Sequence, residues 1–171
     1  GRGIGAATCR RAAQAGYAVG INFVSDKTPA ETLAKEIKST GGKAIAVQGD
    51  VAKLADITRI FDETENAFGP LTALVNSAGI TGKSSRLDQA DDDTILSTIA
   101  INVNGTIFAC REAVKRLSPR HGGQGGVIVN VTSGASTIGS PGEYTWYAAS
   151  KGAIDSFTIG LGRELAEENI R

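Results

Sequence analysis

The sequence predicts an α/β fold: a doubly wound parallel sheet (a three-layer αβα arrangement) with helices on both faces. Three observations predict it. Short apolar runs alternate with amphipathic stretches of helical length. The apolar runs are continuous rather than alternating, as in strands covered on both faces. A helix separates each run from the next, and such crossovers are right-handed and produce parallel pairing. Ligands of these sheets bind beyond the carboxyl ends of the strands, near the point where strand order reverses. The chemistry is therefore expected around Phe23, Asp50, Asn76 and Ser133, where the four runs end.

Each element follows from local signals. A first helix is expected over 3–15, rich in alanine and stopped by Gly16. AVGINF at 18–23 is a buried strand. Thr28, Pro29 and Glu31 predict a helix start with a capping box, and Leu33 and Ile37 form its buried stripe. Gly41 and Gly42 end that helix, and AIAVQGD at 44–50 is the second strand. A helix over 54–68 directs Ile57, Ile60, Phe61, Ala67 and Phe68 to a core and stops at Gly69-Pro70. TALVNSAG at 72–79 is the third strand, a long helix is expected over 92–117, and GVIVNVTS at 126–133 is the fourth strand. A last helix is expected over 144–168. One domain, 1–171, contains all of this.

Composition excludes several classes. Eighteen basic residues balance eighteen acidic ones, so no basic surface marks a nucleic-acid binder. The short basic run at 115–121 reads as a solvated helix end. No apolar run approaches the ~18 residues of a membrane span. Cys9 and Cys110 make no disulfide framework; both read as buried reduced thiols in a cytoplasmic protein. Asp91-Asp92-Asp93 reads as a helix start complementing the dipole, and no metal site is expected. His121, in a glycine-rich loop, has no nucleophilic partner suggested by the pattern.

Two segments carry chemistry. GRGIG places Gly1, Gly3 and Gly5 at the start of the first helix, with Arg2 and Ile4 between them. Closely spaced glycines let the backbone approach a phosphate, and the helix start offers N–H groups and a positive dipole. A dinucleotide site is expected there. No acid stands at the end of the following strand, where Asn22 and Phe23 lie, and Asp26 comes three residues late. Arg2 suits a 2′-phosphate, so NADP is favoured over NAD.

The second segment is Tyr147-Ala148-Ala149-Ser150-Lys151. Residues four apart share a helix face, so Lys151 sits beside Tyr147. Moving a phenol from ~10 to near neutrality takes ~3 pH units, or roughly 4 kcal/mol of phenolate stabilisation. A nearby ammonium in a partly dry cleft supplies much of that. Ser133, at a strand end, is placed to hold a substrate oxygen, with Thr132 and Ser136 as rival hydroxyls. Trp146 reads equally as lining the substrate entrance or as packing.

Together these motifs resemble the classical short-chain dehydrogenase/reductase family, over essentially the whole chain and in family order. GRGIG matches the second half of its TGxxxGxG motif. Asn76-Ser77-Ala78-Gly79 matches Asn-Asn-Ala-Gly, with one departure at Ser77. Asp50, followed by Val51, matches the acid that contacts adenine, and Asn102 in INVNG matches the catalytic asparagine. Ser133, Tyr147 and Lys151 match the Ser and Tyr-xxx-Lys. GSPGEYTWYAASKGAID is most similar to bacterial NADP-dependent 3-oxoacyl-carrier-protein reductases and glucose dehydrogenases.

The resemblance implies a Rossmann-type fold and these roles. Tyr147 is the general acid/base, and Lys151 lowers its pKa and binds the nicotinamide ribose. Ser133 polarises the substrate oxygen. Asn102 holds a water in a proton relay, with Asn104 as its local rival. Gly1, Arg2, Gly3, Ile4, Gly5, Asn22, Phe23, Asp50, Val51, Asn76, Ala78 and Gly79, together with Tyr147 and Lys151, contact the cofactor. The substrate is a small carbonyl or alcohol, and a homo-oligomer (tetramer or dimer) is expected, packed through the helices around 92–117 and 144–168. Two other readings stand beside it: a non-catalytic dinucleotide sensor on the same fold, and an isomerase or dehydratase of the extended branch.

The chain has no methionine and opens on glycine, so it is expected to belong to a longer enzyme, with the strand before GRGIG and the later strands outside it. In the order 3-2-1-4-5-6 the absent first strand lies mid-sheet, between 18–23 and 72–76. Each backbone group left unpaired there costs roughly 1–3 kcal/mol, against a total stability of ~5–15 kcal/mol. The 171 residues alone are therefore expected not to fold stably.

Overall fold

The structure, a computed structural model, describes residues 3–171. These fall into two compact units that meet between Leu71 and Thr72 in the chain.

The first unit runs α1 (Gly3–Gln14), β1 (Ala18–Phe23), α2 (Thr28–Ser39), β2 (Lys43–Gln48) and α3 (Leu54–Phe68). β1 and β2 pair in parallel, from Ala18 opposite Lys43 to Phe23 opposite Gln48. Gly16, at φ +92°, reverses the chain after α1, a conformation that costs glycine little. The expected stripe of α2 is in the core: Ala30, Leu33, Ala34 and Ile37 pack with Ala6, Ile21 and Ala44.

Two expectations fail here. The capping box does not form, because Thr28 is the first residue of α2 and the Asp26 carboxylate accepts its N–H at 3.0 Å. On α3, Ile57 and Phe61 are buried, but Ala67 faces outward. Arg59 instead anchors this helix to the end of β2, donating to the Gln48 carbonyl at 2.6 Å and to Asp56 at 2.8 Å.

The second unit runs β3 (Ala73–Asn76), α4 (Asp92–Ile99), a π-helical turn (Ala100–Gly105), α5 (Thr106–Leu117), β4 (Val127–Asn130), α6 (Ala135–Ile138) and α7 (Thr145–Glu164). β3 and β4 are parallel, with Asn76 opposite Asn130. The helix expected over 92–117 is continuous, but its middle is widened around Asn102. The π-helical turn ends at Gly105, and such turns are frequent at functional sites. Asp91 caps α4, accepting the Thr94 N–H at 2.7 Å, which is the expected role for an acid at that helix start.

The basic run at 115–121 is not simply solvated. Glu112 is buried on α5 and takes Lys115 at 2.8 Å and Arg116 at 2.6 Å, while Arg120 pairs with Glu168 at 2.8 Å. Burial pushes the Glu112 carboxyl up, but its two cationic partners outweigh that and hold it below its ordinary range. The last helix is also shorter than expected. After Glu164 a single 3₁₀ turn ends at Asn169, in the left-handed region at φ +53°. Ile170 then lies parallel to Gly126, and the Ile128 N–H donates to the Arg171 carbonyl at 2.8 Å.

Among the described residues, then, the strands pair as two two-stranded parallel sheets, β1–β2 in the first unit and β3–β4 in the second. No described helix is long and apolar enough to cross a membrane.

Candidate active site

The second unit gathers four expected site residues at the ends of β3 and β4. Lys151 stands on α7, one turn after Tyr147, and is only 6% exposed. Its ammonium donates to the Val131 carbonyl at 2.7 Å, just past β4, and lies 5.8 Å from the centroid of the Tyr147 ring. Burial lowers the Lys151 pKa, and the negative charge of Asp155, one turn further along α7, opposes that.

Asn102, in the π-helical turn, is wholly buried. Its Oδ1 accepts the Ile80 N–H at 2.9 Å, and its Nδ2 donates to the Ile80 carbonyl at 2.8 Å and to Ser150 Oγ at 3.0 Å. Gly79 lies against both groups. A Cβ there would stand 3.3 Å from Asn102 Oδ1 and 3.6 Å from Lys151 Nζ. A side chain at that position would press on the amide and fill the space beside the ammonium.

Ser133 is half-buried three residues past β4, where its Oγ accepts the Ala135 N–H at 3.2 Å. The loop carrying it is held from α7. Thr132 Oγ1 donates to the Lys151 carbonyl at 3.5 Å and Ser136 Oγ to the Ser133 carbonyl at 2.9 Å, and these neighbouring hydroxyls hold the Asp155 carboxyl below its usual range. The rival hydroxyls thus serve the loop, one on either side of Ser133.

The Asn76 side chain is engaged within the fold. Its amide donates to Asn130 Oδ1 at 2.9 Å and to Cys110 Sγ at 3.3 Å, so the side chain ties β3 to β4 and α5. Burial pushes the Cys110 thiol up to about 11, which leaves it neutral and a poor nucleophile near pH 7. Trp146 is packed rather than lining an entrance: it is 4% exposed, and its indole N–H donates to the Thr81 carbonyl at 2.8 Å. Ala78 is exposed beside Gly79.

In the first unit, Gly1 and Arg2 lie outside the described residues. α1 opens at Gly3, at φ +56°, with nothing within 4 Å of where a side chain would start, and Ile4 is exposed beside it. Gly5 is half-buried. Asn22 bonds the Gly49 carbonyl at 2.8 Å across β1 and β2. Phe23 and Val51 are half-buried at the two strand ends. Asp50 accepts the Ala52 N–H at 3.0 Å while its own N–H donates to Asp56 at 2.9 Å. A separate cavity of about 360 Å³ in this unit is lined by Arg10, Glu36, Ile37 and Thr40, and holds none of these residues.

The whole chain, residues 1–171, matches the family model described as short chain dehydrogenase. The chain belongs to the short-chain dehydrogenase family. Among its relatives, the uncharacterized oxidoreductase YgfF of Escherichia coli K12 is 44% identical over 170 residues, covering 99% of this chain and 69% of that protein. A 3-oxoacyl-[acyl-carrier-protein] reductase of Synechocystis is 35% identical, over 99% of this chain and 66% of its own. A solved short-chain dehydrogenase from Burkholderia cenocepacia, in complex with NADP, superposes with a TM-score of 0.91 at 36% identity, over 99% of this chain and 66% of that one. The chain thus spans about two thirds of the length of these relatives. The likeness establishes the α/β, Rossmann-type fold of this short-chain dehydrogenase.

Sequence reasoning missed Ser150, Val131, Asn130 and Asp155. Only Asp155 left a signal, since it stands one further helical turn from Lys151 on the same face.

Proposed function

We propose that this short-chain dehydrogenase is an oxidoreductase that moves a hydride between NADP(H) and a carbonyl or secondary alcohol, with Tyr147 as the general acid/base. The observation that carries the reading is the buried Lys151 ammonium, held by Val131 within 5.8 Å of the Tyr147 ring. A positive charge taken out of water acts strongly on a neighbour, because less solvent screens it. It is placed to stabilise negative charge on the oxygens between which Tyr147 and the substrate exchange a proton.

The donor set suits a dinucleotide. In the second unit an ammonium beside Gly79, where no side chain intrudes, fits ribose hydroxyls; in the first unit, taken by itself, Gly3, Ile4 and Gly5 leave the start of α1 open for phosphate. When bound, the nicotinamide supplies or accepts the hydride. In the reducing direction, Tyr147 gives its hydroxyl proton to the substrate oxygen as the carbon is reduced, and becomes a phenolate beside Lys151. Ser133 orients and polarises that oxygen. Asn102, fixed at Ile80, supports the return of a proton towards Lys151.

NADP is favoured over NAD because no acid follows β1 at Asn22 and Phe23, and Asp26 is engaged by Thr28. The NADP complex of the Burkholderia relative supports the same choice. Leu96 on α4 and Ile159 on α7, 66% and 58% exposed, are apolar side chains that a homo-oligomer packed through these helices would cover.

The test is the absorbance of NADPH on the intact protein with a panel of ketones and 3-oxoacyl thioesters. Turnover with at least one is expected. Tyr147→Phe should lose about 10²–10⁴-fold in kcat while binding NADPH nearly as before. Near-normal turnover in that variant would refute the mechanism. Tight NADPH binding with no turnover on any substrate would favour a sensor.

A further inference from the structure

Ser150 stands next to Lys151 on α7 and is wholly buried. Two other buried hydroxyls in this unit spend their hydrogens along their own helical run: Thr98 on the Thr94 carbonyl at 2.7 Å, and Thr106 on the Asn102 carbonyl at 2.8 Å. Ser150 does more. Its single hydrogen goes to the Tyr147 carbonyl at 2.7 Å, and its oxygen accepts from Asn102 Nδ2 at 3.0 Å.

The direction of these bonds is forced. Asn102 Oδ1 receives the Ile80 N–H, so its Nδ2 must face the Ile80 carbonyl and Ser150. An amide has two N–H donors, and both are now used. The Ser150 hydroxyl therefore joins α7 to the π-helical turn, Asn102 carries the link on to Ile80 after β3, and the hydroxyl fixes the rotamer of Asn102 against the helix that carries Tyr147 and Lys151.

We propose that Ser150 is a positioning residue for the reaction. It touches neither substrate nor cofactor. It holds Asn102 and the start of α7 in one arrangement, and through them the Tyr147–Lys151 pair. Without it, one Asn102 N–H is buried and unsatisfied, and the amide turns or withdraws from Ile80. The proposal rests on Tyr147 being the acid/base.

The experiment uses the intact protein and measures kcat, KM and the pH profile of alcohol oxidation. Ser150→Ala is expected to lower kcat about ten- to a hundredfold, to leave the KM for the nicotinamide cofactor within about twofold, and to move the acid limb to higher pH. In an Asn102→Ala background the same substitution should add little, because its partner is gone. Ser150→Thr and Ser150→Val give a second comparison at nearly equal volume. The threonine, which keeps the hydroxyl, should hold the limb in place, and the valine should shift it. Wild-type kcat and pH profile in Ser150→Ala, while Tyr147→Phe is inactive, would overturn the proposal alone. So would equal limbs in the threonine and valine variants, or full additivity with Asn102→Ala. An active Tyr147→Phe would overturn both the proposal and the reading beneath it.

Discussion

The two units bury different things. The core of the first is aliphatic: Ala6, Ile21, Ala30, Leu33, Ala34, Ile37 and Ala44. Its described ion pairs, such as Arg10–Glu36 and Lys27–Glu31, lie at the surface. The second unit holds every buried polar or charged side chain among the described residues: Thr98, Asn102, Thr106, Glu112, Ser118, Ser150, Lys151 and Glu168. Each of these had to leave water, and each is bonded to a defined partner. An apolar core gains stability from burial without directional demands, whereas a buried polar network holds groups in one geometry and is stable only when complete. The proposed catalytic groups lie in the unit built the second way.

The largest stability effect should come from the aliphatic side. Leu33→Ala removes a side chain that is 2% exposed, and is expected to destabilise the intact protein by about 2–5 kcal/mol. In urea unfolding the midpoint should drop, while kcat per folded molecule stays at the wild-type level. Asn102→Ala should cost less, about 1–3 kcal/mol for the orphaned Ile80 and Ser150 groups, yet reduce kcat severely. If Leu33→Ala lowered kcat as much as Asn102→Ala, the contrast between the units would collapse.

Glu112→Gln should cost a similar amount, about 1–3 kcal/mol, although Lys115 is partly solvated. Its signature is pH dependence. The folded carboxyl titrates below the unfolded value, so on acidification the unfolded chain takes up the proton first, below about pH 4.3. The contribution is whole above that pH and disappears as pH falls through the folded value. Melting curves of wild type and Glu112→Gln should therefore converge in acid; a constant gap would show that the pair does not set the stability. Smallest of all is Glu36→Gln in the first unit. Arg10 and Glu36 are each nearly half exposed, and such pairs contribute little. No change in melting temperature is expected, and a clear drop would mean that surface charge carries part of that unit.

Legibility followed the same division. In the first unit, β1 and α3 occupy 18–23 and 54–68 as the apolar runs and glycine stops predict, because contiguous pattern decides an aliphatic core. Of its two local errors, the cap of α2 came from Asp26, whose carboxylate reaches the Thr28 N–H before Thr28 can cap. In the second unit the proposed site residues stand out in the sequence as motifs, but what holds them does not. Ser150 reads as an ordinary helix serine until Asn102, 48 positions away, is found bonded to it. The Lys151 acceptor is a backbone carbonyl, which no residue type announces. Glu168 and Ile170 look like a helix tail, and only pairing with Gly126 and Arg120 shows otherwise. Non-local partners of polar groups leave no period in a sequence.

The widened turn at Ala100–Gly105 also answers a problem of phase. Thr98, Asn102, Thr106 and Cys110 are all buried and are spaced by four. Four α-helical residues advance ~400°, so such a stripe drifts ~40° at every step and ~120° over this run. A π turn holds about one residue more than an α turn, and that residue takes back ~100°. The turn works like a vernier between two rulers. It lets one unbroken helical run keep a single line of side chains facing inward, from Asn102 to the thiol at Cys110.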